Sequence, residues 1–309
     1  MVASLTRSWK TARLDPSAHA ALAEGLPASE LWTLLLDVLA RRAAERDPPT
    51  LLRQWERDGF TRPAPIDQRT LVALNGHLLA AAEAFEAIEL SPLAPLGACS
   101  VVGLASQNKI VSALRGTEVV SDPTNLMALE CARRLRADPR AVVRLATCHR
   151  CVRAQEIPDK PGFARHFGIF CLAAGGREEK GHAFTVNALV EQIGAHLAAL
   201  DRLERHGYSF PGRRLRILAT EARAALGDRV AAAFASSPIG AVTTREPLDH
   251  RYYDGLRFTI GVRAPDGSEV PFVDGGAFDW VAKIASNGKL AFVASGMGAQ
   301  LAALLFRRR

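Results

Sequence analysis

From position 18 to position 46 the chain returns an apolar residue every three or four places. Leu22, Leu26, Leu31, Leu34, Leu35, Val38 and Leu39 form the stripe of one or two amphipathic helices. Asp47-Pro48-Pro49 stops the run, since proline lacks the amide that a helix interior needs. A second helical stretch is expected over 51–58, with Pro63 and Pro65 as punctuation, and a third over 67–85. Residues 85–97 then read as a helix passing into a strand that proline ends. Short strands and turns follow as far as Asp122, and a helix over 124–136 carries Leu126, Met127, Leu129 and Ala132 on one side. Two strand-like runs, 142–154 and 167–173, flank a polar loop holding Pro158, Pro161 and Gly162. After them come a long helix over 184–205, a break at Pro211-Gly212, a basic strand over 213–218, strands over 252–263, 270–273 and 290–294, and a closing helix. This order predicts an α+β fold, an antiparallel β-sheet flanked by helices. Residues 1–66 are expected to form an N-terminal helical accessory segment, and 67–309 the core.

The 309 residues, 48% hydrophobic and 23% charged, have the composition of a globular chain. The longest apolar run falls far short of the ~20 residues a membrane helix needs, so a cytoplasmic protein with no membrane partner is expected. The five cysteines are odd in number and widely spaced, which argues against a disulfide framework. Cys148 and Cys151 form a C-x-x-C inside a strand-like run, but no second Cys/His pair stands at zinc-finger spacing, so no metal is expected. A net charge of +7 suits a polyanion, yet the arginines are scattered and read as solvated faces rather than a tRNA-binding stripe. Arg307-Arg308-Arg309 reads as a frayed tail.

Several residues could carry chemistry, and each has a plainer reading beside it. Arg153, next to a polar loop, offers a planar fork for a phosphate, or pairs with Glu156 on the surface. Asp122 and Thr124 could receive an ammonium group or cap the helix that follows, and the two roles are compatible. Tyr252 and Tyr253 would flank a ligand or pack at a strand start. Gly275 and Gly276 let a backbone approach a ligand, or make a tight turn.

In order along the chain, five stretches resemble the class II aminoacyl-tRNA synthetase core, and within it histidyl-tRNA synthetase and the regulatory subunit of ATP phosphoribosyltransferase. The segment ending at Pro92 resembles motif 1, which in that class builds the dimer interface. Val119-Val120-Ser121-Asp122-Pro123-Thr124 resembles the signature that opens the amino-acid pocket. Val152-Arg153-Ala154-Gln155, the loop, and Arg165-His166-Phe167 resemble motif 2, whose arginine grips the α-phosphate of ATP. Tyr252-Tyr253-Asp254-Gly255 with Gly275-Gly276-Ala277-Phe278-Asp279 resembles the histidine-specific tyrosine pair and its glycine turn, and Ser295-Gly296-Met297-Gly298 resembles motif 3. The resemblance therefore implies ligand-binding roles for Asp122, Thr124, Arg153, Gln155, Phe167, Tyr252, Tyr253, Gly275 and Gly276.

The departures bear on function. Where the family's motif 3 has an acid and an arginine, this chain has Gln300 and Leu301, and the next arginine is Arg307. Gln155 replaces the motif 2 glutamate, Ile169 and Ala173 stand at substrate-reading positions, and Leu248 stands where a histidine-binding arginine is expected, with Arg251 near. Each lost preorganised contact costs about 3–4 kcal/mol of transition-state stabilisation, so tRNA charging is not expected. The resemblance implies a homodimer that has lost catalysis and acts as a regulatory or ligand-sensing subunit. Its ligand would be amino-acid-like and its protein partner a phosphoribosyltransferase or another protein, with no cofactor required. The alternative is an ATP-dependent ligase that adenylates an amino acid for a non-tRNA acceptor. Arg153 would then be catalytic and ATP with Mg the cofactor.

Overall fold

The computed structural model describes residues 15–155, 164–236, 241–249 and 252–308. Eight strands form one sheet in the spatial order β1 (Glu86–Ala87), β5 (Val143–Val152), β6 (His166–Arg177), β11 (Leu290–Met297), β10 (Glu269–Phe278), β9 (Leu256–Arg263), β7 (Arg214–Ala219) and β8 (Val242–Pro247). A small sheet of β2 (Leu93–Pro95), β4 (Thr117–Val119) and β3 (Ser112–Ala113) lies beside it. The helices are α1 (Pro16–Ala20), α2 (Ala28–Ala44), α3 (Pro48–Arg57), α4 (Gln68–Ala80), α5 (Pro123–Ala137), α6 (Ala183–Arg205), α7 (Ala224–Ala232), α8 (Trp280–Ile284) and α9 (Ala299–Leu305).

Helices cover both faces of the large sheet, which explains why β6 reads as an almost continuous apolar run instead of an alternating one. On one face Phe170, Leu172 and Ala174 pack with Leu74 and Leu78 of α4 and with Leu189, Ile193, Leu197 and Leu200 of α6. On the other, Cys171 and Ala173 pack with Met127, Cys131 and Leu135 of α5 and with Trp280 and Val281 of α8. The 23-residue α6 is the main support of the first face, its apolar positions recurring at helical spacing from Phe184 to Leu203. On that side a polar chain is sealed into the core. The His196 imidazole and Ser295 Oγ are 2.8 Å apart, Ser295 Oγ donates to Gln192 Oε1 at 2.6 Å, and Gln192 Nε2 donates to the Val293 carbonyl at 3.0 Å. Complete burial depresses His196 to about 3, so the ring is neutral.

The α+β class is as expected, but the sheet is not wholly antiparallel. Both edge pairs, β1–β5 and β7–β8, are parallel, and the pairs between them are antiparallel. Each parallel pair is separated along the chain by a helix, α5 in the first case and α7 in the second, as parallel pairing requires. Neither α7 nor β8 was anticipated. Of the helix-to-strand passage expected over 85–97, the helical part is absent and the strand is the short β2. Helix α4 ends at Ala80, a tight turn buries Phe85, and Ile88 donates to the Ala146 carbonyl, which draws the segment along the edge of β5. Tyr252 and Tyr253 stand in the turn before β9 and not in the strand.

The terminal arginines were expected to fray, yet Arg307 bridges to Tyr208 and donates to Thr70 Oγ1 at 2.9 Å, while Arg308 donates to the Gly207 carbonyl. Arg309 lies outside the described residues. Among the described residues no helix is long and apolar enough to cross a membrane. Cys148 faces the core under α4 and Cys151 the opposite one, because an odd separation along a strand reverses direction. The C-x-x-C therefore does not converge, and the described residues hold no group of three or more metal-ligating side chains.

Candidate functional site

The α5-bearing face of the sheet contains a cleft of about 270 Å³. Its walls are the segment 99–110, the N-terminus of α5, the chain leaving β5, and Tyr252. The outer wall is held by Glu118, a fully buried carboxylate on β4. It accepts from the amides of Gly97 at 2.8 Å and Cys99 at 2.9 Å, and from Gln107 Nε2 at 2.9 Å. Burial pushes the Glu118 carboxyl up, but these donors outweigh it and hold the group below the usual carboxylate range.

Asp122 is the N-cap of α5. Pro123 at the first helical position is preset for the helix, and Asp122 Oδ1 accepts from the Thr124 amide at 3.0 Å and the Thr124 hydroxyl at 2.7 Å. The cap reading of Asp122 is met, and the same residue lines the cleft. Thr124 is buried and spends its hydroxyl on the cap, so it serves Asp122 and does not line the cleft. Across from Asp122, Arg153 donates from Nε to the Ser121 carbonyl at 3.1 Å, with its guanidinium carbon 5.1 Å from the centre of the Phe167 ring. Phe167 is a platform under Arg153 and not itself part of the lining. Gln155 reaches the cleft, its carbonyl fixed by Arg165 Nη1 at 3.1 Å. Glu156, the alternative partner of Arg153, lies outside the described residues.

Tyr252 lines the cleft and belongs to an aromatic layer. Its ring meets Tyr253, Phe278 and Trp280 edge-on, with centroids 5.0, 5.4 and 5.7 Å away. Burial raises its phenol. Tyr253 points elsewhere: its hydroxyl donates to Asp274 Oδ1 at 2.8 Å, beside the bidentate pair of Arg257 and Asp274. Gly275 and Gly276 do not line the cleft either. A Cβ at 275 would come 2.4 Å from Ser295 Cβ, and one at 276 would come 2.3 Å from the Leu256 carbonyl and 2.5 Å from the Tyr253 ring. These glycines make room for strand neighbours and a tyrosine, inside β10 and not in a turn.

Of the residues named from the sequence, Asp122, Arg153, Gln155 and Tyr252 come together in the cleft. Lys109 and Asn125 also line it and were missed. Asn125 is 2% exposed, and its Oδ1 has no hydrogen-bond partner among the described residues. Its place three residues after the Asp122 cap was the one signal that could have found it. The cleft therefore presents one carboxylate, a guanidinium and an ammonium, with the Asn125 amide oxygen buried behind its lining. Cys99 lies at the same cleft, buried and engaged by the Ser121 hydroxyl at 2.9 Å, and desolvation raises its thiol. A second cavity of about 300 Å³, rimmed by Glu178, His182, Arg223 and Asp254, contains none of the residues named from the sequence.

Gln300 is fully buried, and its Oε1 accepts from Arg150 Nη2 at 3.3 Å. Arg307, the next arginine along the chain, is committed to Tyr208 and Thr70. Leu248 is buried and donates its amide to the Ala219 carbonyl, and Arg251 lies outside the described residues.

No family model matches the chain, and no curated protein matches it. Solved structures do. The ATP phosphoribosyltransferase regulatory subunit/histidyl-tRNA synthetase from Bacillus halodurans aligns at a TM-score of 0.60 and 15% identity, over 78% of this chain and 81% of that one. A histidine–tRNA ligase subunit from Alicyclobacillus acidocaldarius aligns at 0.56 and 12% identity, over 84% of this chain and 96% of that one. The core has the class II synthetase-like fold. Apo histidyl-tRNA synthetase from S. aureus aligns at 0.56 and 13% identity over 78% of this chain, which spans 66% of that enzyme. At these identities the likeness is one of fold, and the function of this class II-like core has to be argued from its own residues.

Proposed function

We propose that this chain is a catalytically degenerate relative of histidyl-tRNA synthetase that senses a small amino-acid-like zwitterion and acts as a regulatory subunit on a protein partner. One observation carries the reading: the cleft keeps ionic groups of both signs while Gln300 and Leu301 leave the motif 3 stretch without its charged pair. Asp122 suits an ammonium group, and Arg153 and Lys109 suit a carboxylate. Where the class has an acid and then an arginine for ATP, this chain has Gln300, buried on α9 against Arg150, and the apolar Leu301. The regulatory subunit of ATP phosphoribosyltransferase, which shares the fold, supports a phosphoribosyltransferase as the partner.

The test is calorimetric titration of the purified chain with each of the proteinogenic amino acids, run beside ATP–pyrophosphate exchange with magnesium. The reading expects one or a few amino acids to bind without exchange. Arg153→Ala and Asp122→Asn should each weaken that binding by about tenfold or more, the loss of a charged hydrogen bond of at least 1.4 kcal/mol. Exchange dependent on one amino acid overturns the reading.

The second reading, adenylation for a non-tRNA acceptor with ATP and Mg, is favoured by the single position of Arg153. Its guanidinium lies over Phe167 at the end of the motif 2 strand. In that case Arg153→Ala abolishes exchange.

A further inference from the structure

The formal charges that line the cleft do not balance. Lys109 and Arg153 are cationic, Asp122 is anionic, and no other charged side chain belongs to the lining among the described residues, which leaves +1. Glu118 stands behind the outer wall with its oxygens taken by the Gly97 and Cys99 amides and by Gln107, so it offers a ligand no acceptor. An amino acid with an uncharged side chain answers the acid and one cation, and leaves the second cation over. The two cations are held separately. Arg153 donates from Nε to the Ser121 carbonyl, and among the described residues its two Nη groups have no partner, so a planar fork stands open to one carboxylate. Lys109 ends the short turn Gln107–Lys109, which is fixed where Gln107 donates to Glu118 at 2.9 Å and accepts from the Ser100 hydroxyl at 2.8 Å. The Ala154 amide donates to the Lys109 carbonyl at 2.9 Å, which sets Lys109 beside the residue that follows Arg153. Lys109 is exposed, and it has no ion pair among the described residues.

We propose that the ligand of the cleft is an acidic amino acid, with a second carboxylate on its side chain. Its ammonium group meets Asp122, its α-carboxylate the Arg153 fork, and its side-chain carboxylate Lys109. The inference rests on the amino-acid-sensing reading above and narrows it to one ligand class. Such a ligand carries a single net negative charge and complements the lining. A phosphorylated amino acid would bring about −1.5 to −2 and overshoot it. The cleft volume of about 270 Å³ lies just under the range of ~300–1,000 Å³ for small-molecule sites, which suits a ligand the size of one amino acid.

Calorimetric titration of the full chain at neutral pH tests it, comparing aspartate with asparagine, glutamate with glutamine, and both acids with phosphoserine. The better acid should bind at least about fivefold tighter than its amide, the upper end of what a solvent-screened ion pair contributes. Lys109→Met should abolish that preference without weakening the amide, Lys109→Arg should keep it, and Lys109→Glu should reverse it. Because Lys109 is exposed, all three variants should melt with the wild type. A neutral or basic amino acid that binds as tightly as the acids overturns this inference and leaves the sensing reading standing. So does phosphoserine binding tighter than either acid, or an acid preference that survives Lys109→Met. Binding of no amino acid at all overturns both.

Discussion

Replacing Glu118 should be among the most damaging single changes to the cleft, although the residue does not line it. The carboxylate is fully buried and holds two backbone amides and Gln107. Bonds to a charged acceptor contribute about 1.5–3 kcal/mol each, and a buried donor left without a partner costs about 1–3 kcal/mol. The three bonds share one group and are not additive, so Glu118→Ala should cost about 3–5 kcal/mol. Glu118→Gln keeps one acceptor oxygen but turns an NH2 toward an amide, and should cost about 1–3 kcal/mol. Urea unfolding at pH 7 measures both. Because the folded carboxyl lies below the unfolded value of 4.5, its stabilisation is complete above that value and is lost as pH falls through the folded one. The gap between wild type and Glu118→Gln should therefore narrow toward pH 3. A Glu118→Ala loss under about 1 kcal/mol, or a gap that stays constant into acid, would refute the reasoning.

Three further outcomes follow from the packing. His196 is depressed to about 3 from 6.5 by burial, so the unfolded chain takes up a proton that the folded one refuses as pH drops below 6.5. Stability should fall by about 2 kcal/mol between pH 7 and pH 5 on this account, and unfolding of His196→Gln across that range should lack this contribution. Gly276→Ala should cost about 1–3 kcal/mol by overpacking, and Tyr253→Ala in the same chain should relieve it only partly, since the Leu256 carbonyl stays 2.3 Å from the new methyl; full rescue in a thermal melt would contradict the geometry. A strong zinc chelator should leave the melting temperature unchanged, because Cys148 and Cys151 face opposite sides of β5; a drop of several degrees would show that metal is bound.

Periodicity alone was enough to read α5 and α6, whose apolar faces repeat over many turns, and the strand pair β5–β6, while the loop expected between them, with Pro158, Pro161 and Gly162, lies outside the described residues. The parallel edges were not legible, because pairing direction depends on partners far along the chain. Helix α7 and β8 are short and lack a distinctive alternation. Asp122 and Arg153 were legible from their places before a helix and at a strand end. Glu118 was not: in Thr117-Glu118-Val119 a charge between strand formers reads as a solvent position, and its partners lie 11 to 21 residues away. Gly275 and Gly276 misled the reading because a paired glycine signals a turn, while here each clears space inside a sheet.

Asp122 is at once the latch of a helix and a wall of the cleft. An N-cap contributes about 1 kcal/mol to its helix, so a ligand that draws Oδ1 away from Thr124 loosens the first turn of α5 by about that much, while one that uses Oδ2 leaves the helix set. Any signal sent by this route has a ceiling of about fivefold in the affinity of whatever reads α5. The cleft would act as a volume control rather than an on–off switch.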